Sequence, residues 1–309
     1  MENKKIPLIC VVGPTASGKT KLGIDLAARL DGEIVSSDSM QIYKGISIAS
    51  AAATKEEMRG IPHHLIEFLE LGEKFSVADY VNLAKEKITD IYSRKKQPIL
   101  VGGTGLYVNS LVDGITFAEE SEDKKVLNEL KKELEQHGPE HMLSRLAEID
   151  PENAAKLHPN NIRRILRALE VYYITGKTFT EQNVLSRQNG TPFDTIVIGI
   201  TYADREKLYE RINLRVEQML ENGLLQEAKT TLHLPSGVGA AQAIGHKELH
   251  KYLKGEASLE EAVETLKRET RRYAKRQLTW FRRREDINWV YADKEDTLQR
   301  ALEIIRKGR

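Results

Sequence analysis

The chain has 309 residues and a nearly balanced charge, with 47 Lys and Arg against 46 Asp and Glu. This length predicts one or two domains with ample core, and the charge balance excludes a protein that attracts polyanions through its overall field. Cys10 is the single cysteine, which excludes an intramolecular disulfide and favours a reducing cytoplasm. The apolar run near the N-terminus is too short for a signal peptide, and no stretch approaches the roughly 18 apolar residues of a membrane span.

The first predicted elements are a strand at 6–12 and a helix from residue 19, joined by Gly-Pro-Thr-Ala-Ser-Gly-Lys-Thr at 13–20. This motif has the form G-x-x-x-x-G-K-S/T in the strand–loop–helix context that is typical of a P-loop. Its glycines and the N–H groups at the helix start favour a bound anion. Lys19 would contact a terminal phosphate, and the Thr20 hydroxyl can hold Mg²⁺. The motif therefore predicts a diphosphate or polyphosphate ligand, without defining the reaction.

Two further turns are predicted at the carboxyl ends of strands, where ligands of open α/β sheets bind. Asp38 follows the short apolar pair Ile34 and Val35, and Gly102-Gly103-Thr104-Gly105 follows a strand at 98–101. Both turns are expected to join the P-loop in one site. The alternatives are a loop or capping role for Asp38 and a tight turn without ligand at Gly102-Gly103. His63 and His64 do not predict a metal site, since adjacent residues do not face one another on a helix and no Cys or Asp pair completes a cage.

The central segment, 118–192, is charged and helical, and a buried strand at 195–200 follows it. We therefore predict an α/β fold: a P-loop NTPase-like core with a parallel sheet, formed by 1–117 and 193–309, plus an all-helical insertion domain at 118–192. One insertion helix begins at Asn160 or Asn161. Its apolar stripe is Ile162, Ile165, Leu166, Leu169 and Tyr173, and Arg163, Arg164 and Arg167 lie off this stripe. Those arginines form either a solvated face or a phosphate-binding one.

The C-terminal part contains three candidate binding features. Arg211 and Arg215 lie four residues apart and share a helix face. The glycine-spaced stretch at 235–247 is typical of a binding loop. Residues 267–284 contain nine positive residues and one acid. A basic stripe (Arg268, Arg271, Arg272 and Lys275), backed by Leu266, Tyr273 and Trp280, fits a helix that faces nucleic-acid phosphates, although ordinary surface charge is the alternative.

Together these segments resemble the bacterial tRNA dimethylallyltransferases, also called tRNA isopentenyltransferases. The resemblance spans nearly the whole chain in order. It is carried by GPTASGKT at 13–20, SSDSMQIYKG at 36–45, VGGTGLY at 101–107, HPNNIRRILRALE at 158–170, ERINLRV at 210–216, QAIGHKE at 242–248 and TRRYAKRQLTWFRR at 270–283. One stretch departs from the family, because Ala49-Ser50-Ala51-Ala52-Ala53 replaces the usual Gly-Thr-Ala-Lys-Pro.

The resemblance implies transfer of a dimethylallyl group from dimethylallyl diphosphate to N6 of the adenosine just 3′ of a tRNA anticodon. Asp38 would be the general base and Thr104 would assist it, with Mg²⁺ at Thr20 and a monomeric enzyme in the cytoplasm. The diphosphate would be bound by Gly13, Thr15, Ala16, Ser17, Gly18, Lys19, Thr20 and Arg211. The tRNA anticodon arm would be bound by Asp38, Ser39, Met40, Gln41, Asn160, Asn161, Ile162, Arg163, Arg164, Gln242, Ala243, Ile244, Gly245, His246, Lys247, Arg271, Arg272 and Lys275.

Two other functions use part of the same evidence. A small-molecule or nucleoside kinase would share the P-loop and a base at Asp38, but it leaves the basic C-terminal helix unexplained. A non-catalytic RNA-binding module would explain that helix but give the P-loop and Asp38 no role.

Overall fold

The computed structural model describes residues 5–115, 117, 125–186, 190–235 and 239–308. The chain divides into two compact units, one formed by residues 1–112 and 192–309 and the other by residues 113–191. The insertion was predicted to run from 118 to 192.

The elements follow one another as strands β1 to β6 and helices α1 to α14. In chain order they are β1 (Ile6–Val12), α1 (Lys19–Leu30), β2 (Gly32–Ser36), α2 (Ser47–Ser50), α3 (Lys55–Met58), β3 (His63–His64), α4 (Val77–Ser93), β4 (Gln97–Gly102), α5 (Gly105–Val112), α6 (Lys125–Ile149), α7 (Pro151–Ala154), α8 (Ile162–Thr175), α9 (Phe179–Ser186), β5 (Phe193–Thr201), α10 (Arg205–Glu221), α11 (Leu224–Ala228), α12 (His246–Leu253), α13 (Leu259–Phe281), β6 (Ile287–Tyr291) and α14 (Thr297–Lys307).

The first unit is built on a parallel sheet with strand order β3-β2-β4-β1-β5-β6. Residues of β1 alternate between two cores: Leu8 and Cys10 pack on one face of the sheet, and Ile9 and Val11 on the other. A strand covered on both faces has a continuous apolar sequence, as β1 has. The α/β fold with a parallel sheet is therefore confirmed, and the carboxyl ends of the strands lie at one edge.

Local capping signals explain several helix boundaries. Ser76 and Asp79 form a capping box at the start of α4, with each side chain bonded to the other residue's backbone N–H. Ser76 and Asp79 therefore define the start of α4. The stretch at 44–74 contains β3, a two-residue edge strand that pairs with Ile34 and Val35 of β2.

In its described residues the second unit contains helices and no strand. Its core is formed by Leu130, Met142 and Leu146 of α6 together with Ile165 and Leu169 of α8. The α6 segment is kinked at Gly138, which has a φ of 81° and is followed by Pro139. This break is expected, because proline removes a helix hydrogen bond and clashes with the preceding turn. Among the described residues of the whole chain, no helix is long and apolar enough to cross a membrane.

Candidate active site

The P-loop lies between β1 and α1 at the carboxyl edge of the sheet. Gly13 passes so close to β5 that a Cβ there would lie 2.2 Å from the Ile200 carbonyl oxygen. Gly18 has a φ of 97° and precedes the first residue of α1, a conformation that L side chains rarely adopt. Ser17 is buried, and its Oγ has no hydrogen-bond partner among the described residues. The loop therefore has the close-packed backbone of an anion site at a helix N-terminus.

The Lys19 amine has a lower pKa than an ordinary lysine. Its Nζ donates to the Pro14 carbonyl at 3.0 Å. Burial lowers the pKa of Lys19 to about 8, against the opposing effect of the Asp38 carboxylate. A bound phosphate would favour the charged amine and raise that pKa.

Two arginines of α10 reach this region in different ways. Arg211 donates from Nε to the Ala16 carbonyl of the P-loop at 3.3 Å. Arg215, one turn later, lines the same cavity as Lys19 and donates to the Ala51 carbonyl at 3.4 Å. Burial lowers the pKa of Arg215, while the Asp38 charge acts in the opposite direction. Of these two arginines, Arg215 lines the cavity, whereas Arg211, which the resemblance assigned to the diphosphate, contacts the P-loop backbone.

Asp38 and Thr104 are held together by the turns after β2 and β4. One carboxylate oxygen, Oδ1, accepts the N–H groups of Met40 at 2.8 Å and Gln41 at 3.4 Å. Thr104 Oγ1 accepts the Ser39 N–H at 2.9 Å. Within the described residues, Asp38 Oδ2 takes no hydrogen bond. This oxygen is therefore available to accept a proton from a bound group.

One cavity of about 340 Å³ joins the P-loop, Asp38 and Arg215, whereas Thr104 and Arg211 are not among its lining residues. Its polar wall includes Lys19, Thr20, Asp38 and Arg215. Its apolar wall is formed by Ile34, Val101, Val216, Met219, Ile244 and Leu266. A cavity with an anion site at one place and an apolar surface beside it suits an amphiphilic ligand whose charged end is a phosphate.

Other polar residues of the cavity were not identified from the sequence. They include His63 of β3 and the α13 residues Tyr273, Arg276 and Gln277. His63 Nδ1 lies 2.8 Å from the Ile61 carbonyl, and Nε2 is buried without a partner in the described part of the chain. Burial lowers the pKa of His63, so its neutral ring presents Nε2 as a hydrogen-bond acceptor. The basic pattern of α13 indicated its exposed face but not its cavity-facing one.

The predicted binding stretch at 235–247 is only partly exposed, and 236–238 lie outside the described residues. Gln242 and Lys247 are exposed, but Ala243, Gly245 and His246 are buried. His246 Nε2 lies 2.9 Å from Glu227 and Nδ1 lies 2.9 Å from Thr231. This imidazole is fully buried and held on both sides, so its side chain has no exposed surface in this structure.

The remaining predicted RNA contacts lie on three separate segments. Ser39, Met40 and Gln41 line the cavity. In the second unit, Asn160, Ile162, Arg163 and Arg164 are exposed at the start of α8. Asn161 does not cap α8 with its side chain; its Oδ1 accepts the His158 N–H at 3.0 Å instead.

The basic face of α13 is partly engaged within the protein. Arg271 Nη1 donates to Asn213 at 2.6 Å. Arg272 pairs with Glu269 at 2.7 Å but keeps 62% of its side chain exposed. Lys275 is also exposed. Arg272 and Lys275 are therefore the exposed residues among these three.

The comparisons with known proteins agree with one another. The family described as "IPP transferase" matches residues 41–284. A tRNA dimethylallyltransferase of Caldanaerobacter subterraneus is 48% identical over 303 residues, which cover 97% of this chain and 96% of the relative.

Solved structures are similar over most of the chain as well. The full-length tRNA isopentenylpyrophosphate transferase of Bacillus halodurans has a TM-score of 0.73 and 44% identity, covering 98% of this chain and 97% of that one. A eukaryotic dimethylallyltransferase acting on tRNA has a TM-score of 0.84 and 33% identity, covering 97% of this chain and 79% of that one. The P-loop and Asp38 line one cavity, and the matches above show that the chain belongs to the IPP transferase family.

Proposed function

We propose that this protein transfers a dimethylallyl group from dimethylallyl diphosphate to N6 of the adenosine 3′-adjacent to a tRNA anticodon, with release of diphosphate. The observation that carries the proposal is the single cavity in which the P-loop, an apolar wall and Asp38 meet. The diphosphate occupies the P-loop, the five-carbon tail lies against the apolar wall, and the acceptor amine approaches Asp38. The family match favours this reaction over the kinase alternative.

The donor end of the cavity is suited to a leaving diphosphate. When the bond between the allylic carbon and the diphosphate oxygen breaks, negative charge grows on that oxygen. Lys19 and Arg215 line the cavity at this end, and the N–H groups at the start of α1 lie beside them. Preorganised positive charge of this kind stabilises the developing anion. Arg211 stabilises the P-loop by donating a hydrogen bond to the Ala16 carbonyl.

The acceptor end is suited to proton removal. An exocyclic adenine amine is a weak nucleophile, and it gains from a positioned acceptor for its proton. The two N–H groups on Asp38 Oδ1 fix the carboxylate, which leaves Oδ2 to take the proton as the new carbon–nitrogen bond forms. Thr104 assists from the neighbouring turn, where its hydroxyl accepts the Ser39 N–H.

Magnesium fits the oxygen donors of this cavity. The Thr20 hydroxyl and the Asp38 carboxylate line it, and the buried Ser17 hydroxyl has no partner in the described residues. Mg²⁺ is usually held by one or two protein oxygens together with substrate phosphates and water, so a bound diphosphate would supply the remaining ligands. When bound, the ion neutralises charge on the diphosphate.

Recognition of tRNA is assigned to several surfaces. We place the anticodon arm on the insertion at 118–192 through Asn160 to Arg164, and on Gln242, Lys247, Arg272 and Lys275. Ala49, Ala51 and Ala53 line the cavity, and Ala52 stands where relatives have lysine, so no contact of that lysine is carried over. Because tRNA is used in the cytoplasm, we propose a cytoplasmic enzyme, and we expect a monomer.

The test is a transfer assay with unmodified tRNA and labelled dimethylallyl diphosphate. We expect label in tRNA and an equal amount of released diphosphate, with neither product when tRNA is omitted. Lys19→Ala serves as the control that removes the phosphate contact. Wild-type protein that ignores dimethylallyl diphosphate and instead transfers the γ-phosphate of ATP to a small hydroxyl compound would overturn the proposal.

A further inference from the structure

Gln277 of α13 connects the two glycine turns of the active site. Its Oε1 accepts the Thr15 N–H of the P-loop at 2.8 Å. Its Nε2 donates to the Gly103 carbonyl at 2.9 Å. The residue is only 5% exposed. One buried side chain thus joins backbone groups from the loops after β1 and β4.

The chemistry of the amide suits this position closely. A backbone N–H can only donate and a carbonyl can only accept, so the two partners fix the orientation of the amide. A carboxylate offers acceptors alone and an aliphatic side chain offers neither group. Loss of the bond to Gly103 would leave a buried carbonyl unsatisfied, which is costly.

Gly103 is matched to this amide. A Cβ at Gly103 would lie 2.3 Å from Gln277 Nε2 and 3.3 Å from the Gly13 carbonyl oxygen. Glycine therefore allows the second turn to approach both the amide and the P-loop. Thr104 follows directly, and its hydroxyl accepts the Ser39 N–H beside Asp38.

We propose that Gln277 is a positioning residue that fixes the P-loop relative to the Thr104 turn, and so sets the distance between the leaving diphosphate and the acceptor amine. This inference rests on the proposed transfer reaction, because the two ends it connects are the donor and acceptor ends of that reaction. Reacting groups must be held in a near-attack geometry, and a misplacement of about 1 Å can reduce the rate roughly 10²-fold.

Gln97 provides a matched control. Its Nε2 donates to the carbonyls of Pro7 and Pro98 at 3.0 and 2.9 Å, so it also connects β1 to β4. It lies at the amino ends of these strands, away from the cavity. Gln97→Met therefore removes a side-chain bond between β1 and β4 at their amino ends, whereas Gln277→Met removes the two bonds from α13 to the loops at their carboxyl ends. Only the second change lies at the active site.

The first experiment compares these variants in thermal unfolding, inorganic diphosphate binding and transfer kinetics. We expect Gln277→Met to lower kcat/KM roughly 10–100-fold and to weaken diphosphate binding, while Gln97→Met keeps wild-type values. Equal kinetic and binding effects in both variants would overturn the inference. Diphosphate binding needs no turnover, so it tests the connection even if the wild type shows no transfer activity and the proposed function fails.

The second experiment measures activity as a function of pH. It tests the inference even if Gln277→Met does not fold. In Gln277→Glu, a protonated carboxyl can donate to Gly103 and accept from Thr15, whereas a carboxylate cannot donate and repels the diphosphate. We expect the activity of Gln277→Glu, as a fraction of wild type at each pH, to rise as the pH falls. A constant fraction across pH, as expected for Gln97→Glu, would overturn the positioning role.

Discussion

Replacement of Asp38 by asparagine should separate proton removal from substrate binding. Asparagine keeps an oxygen for the N–H groups of Met40 and Gln41, which Asp38 Oδ1 accepts at 2.8 and 3.4 Å. It replaces the other carboxylate oxygen by an amide nitrogen, which cannot accept a proton. The shape of the turn should survive while the base is lost.

The expected magnitude follows from the role of the carboxylate. A positioned general base typically contributes about 10²–10⁴-fold, which corresponds to roughly 3–5 kcal/mol in the barrier. We therefore expect kcat to fall within this range. Since the Asp38 charge raises the pKa of Lys19, which is about 8 in the wild type, the variant should have a lower lysine pKa. Its donor affinity should match wild type at about pH 6, where the lysine remains charged, and be weaker above pH 8.

The assay measures single-turnover transfer at saturating tRNA and donor, with donor affinity determined separately by calorimetry. The control is Asp194→Asn, the same substitution at an exposed carboxylate that does not line the cavity. Wild-type kcat in Asp38→Asn would refute the assignment of Asp38 as the base. A large loss of donor affinity at about pH 6 would refute the separation of the two ends of the cavity.

Three further predictions concern the charge and the division of the protein. Affinity for dimethylallyl diphosphate should be full below pH 8 and fall as the pH rises through the Lys19 pKa of about 8. Above that pH the lysine is neutral, so binding requires proton uptake. Calorimetry in buffers of different ionisation enthalpy measures that uptake. Reversing Arg272 and Lys275 to Glu should weaken tRNA binding and reduce its salt slope by roughly 0.7–0.9 for each lost phosphate contact, as measured by filter binding across salt concentrations. Replacing 118–192 by a short linker should leave a folded core that binds the donor but has lost most affinity for tRNA, as measured by circular dichroism and calorimetry.

Each of these predictions has a control and an opposing outcome. Lys19→Arg should remove the pH dependence of donor affinity near pH 8. If that dependence persists, a group other than Lys19 causes it. Reversal of Lys21 and Lys85, which lie outside the assigned RNA surfaces, should leave tRNA affinity unchanged; equal loss in both double variants would indicate a general charge effect. A folded deletion variant that cannot bind the donor would contradict the assignment of the donor site to the core.

The parts of the site that could be predicted from sequence are contiguous in the chain. The P-loop is one uninterrupted motif, so the local sequence alone predicts it. Asp38 could be placed because the carboxyl ends of parallel strands meet at one edge. In contrast, β3 contains only His63 and His64 and has no apolar run that would mark it as a strand.

The parts that could not be predicted depend on distant packing. Gln277 meets Thr15 across 262 residues of sequence, and only the packed register of α13 shows which of its polar side chains faces the cavity. The choice between Arg211 and Arg215 depends likewise on the rotation of α10. His246 was assigned to tRNA by the family resemblance, and only the fold shows that its imidazole is buried, with Glu227 and Thr231 at its ring nitrogens.

The most direct test of the account compares two anticodon stem-loop RNAs that differ in one nucleobase. One has adenosine 3′-adjacent to the anticodon, and the other has purine riboside there, which lacks only the N6 amine. With labelled dimethylallyl diphosphate, we expect equal amounts of label in the RNA and of released diphosphate for the adenosine RNA, and no transfer to the purine RNA. Label in both RNAs, or in neither, would contradict transfer to that amine.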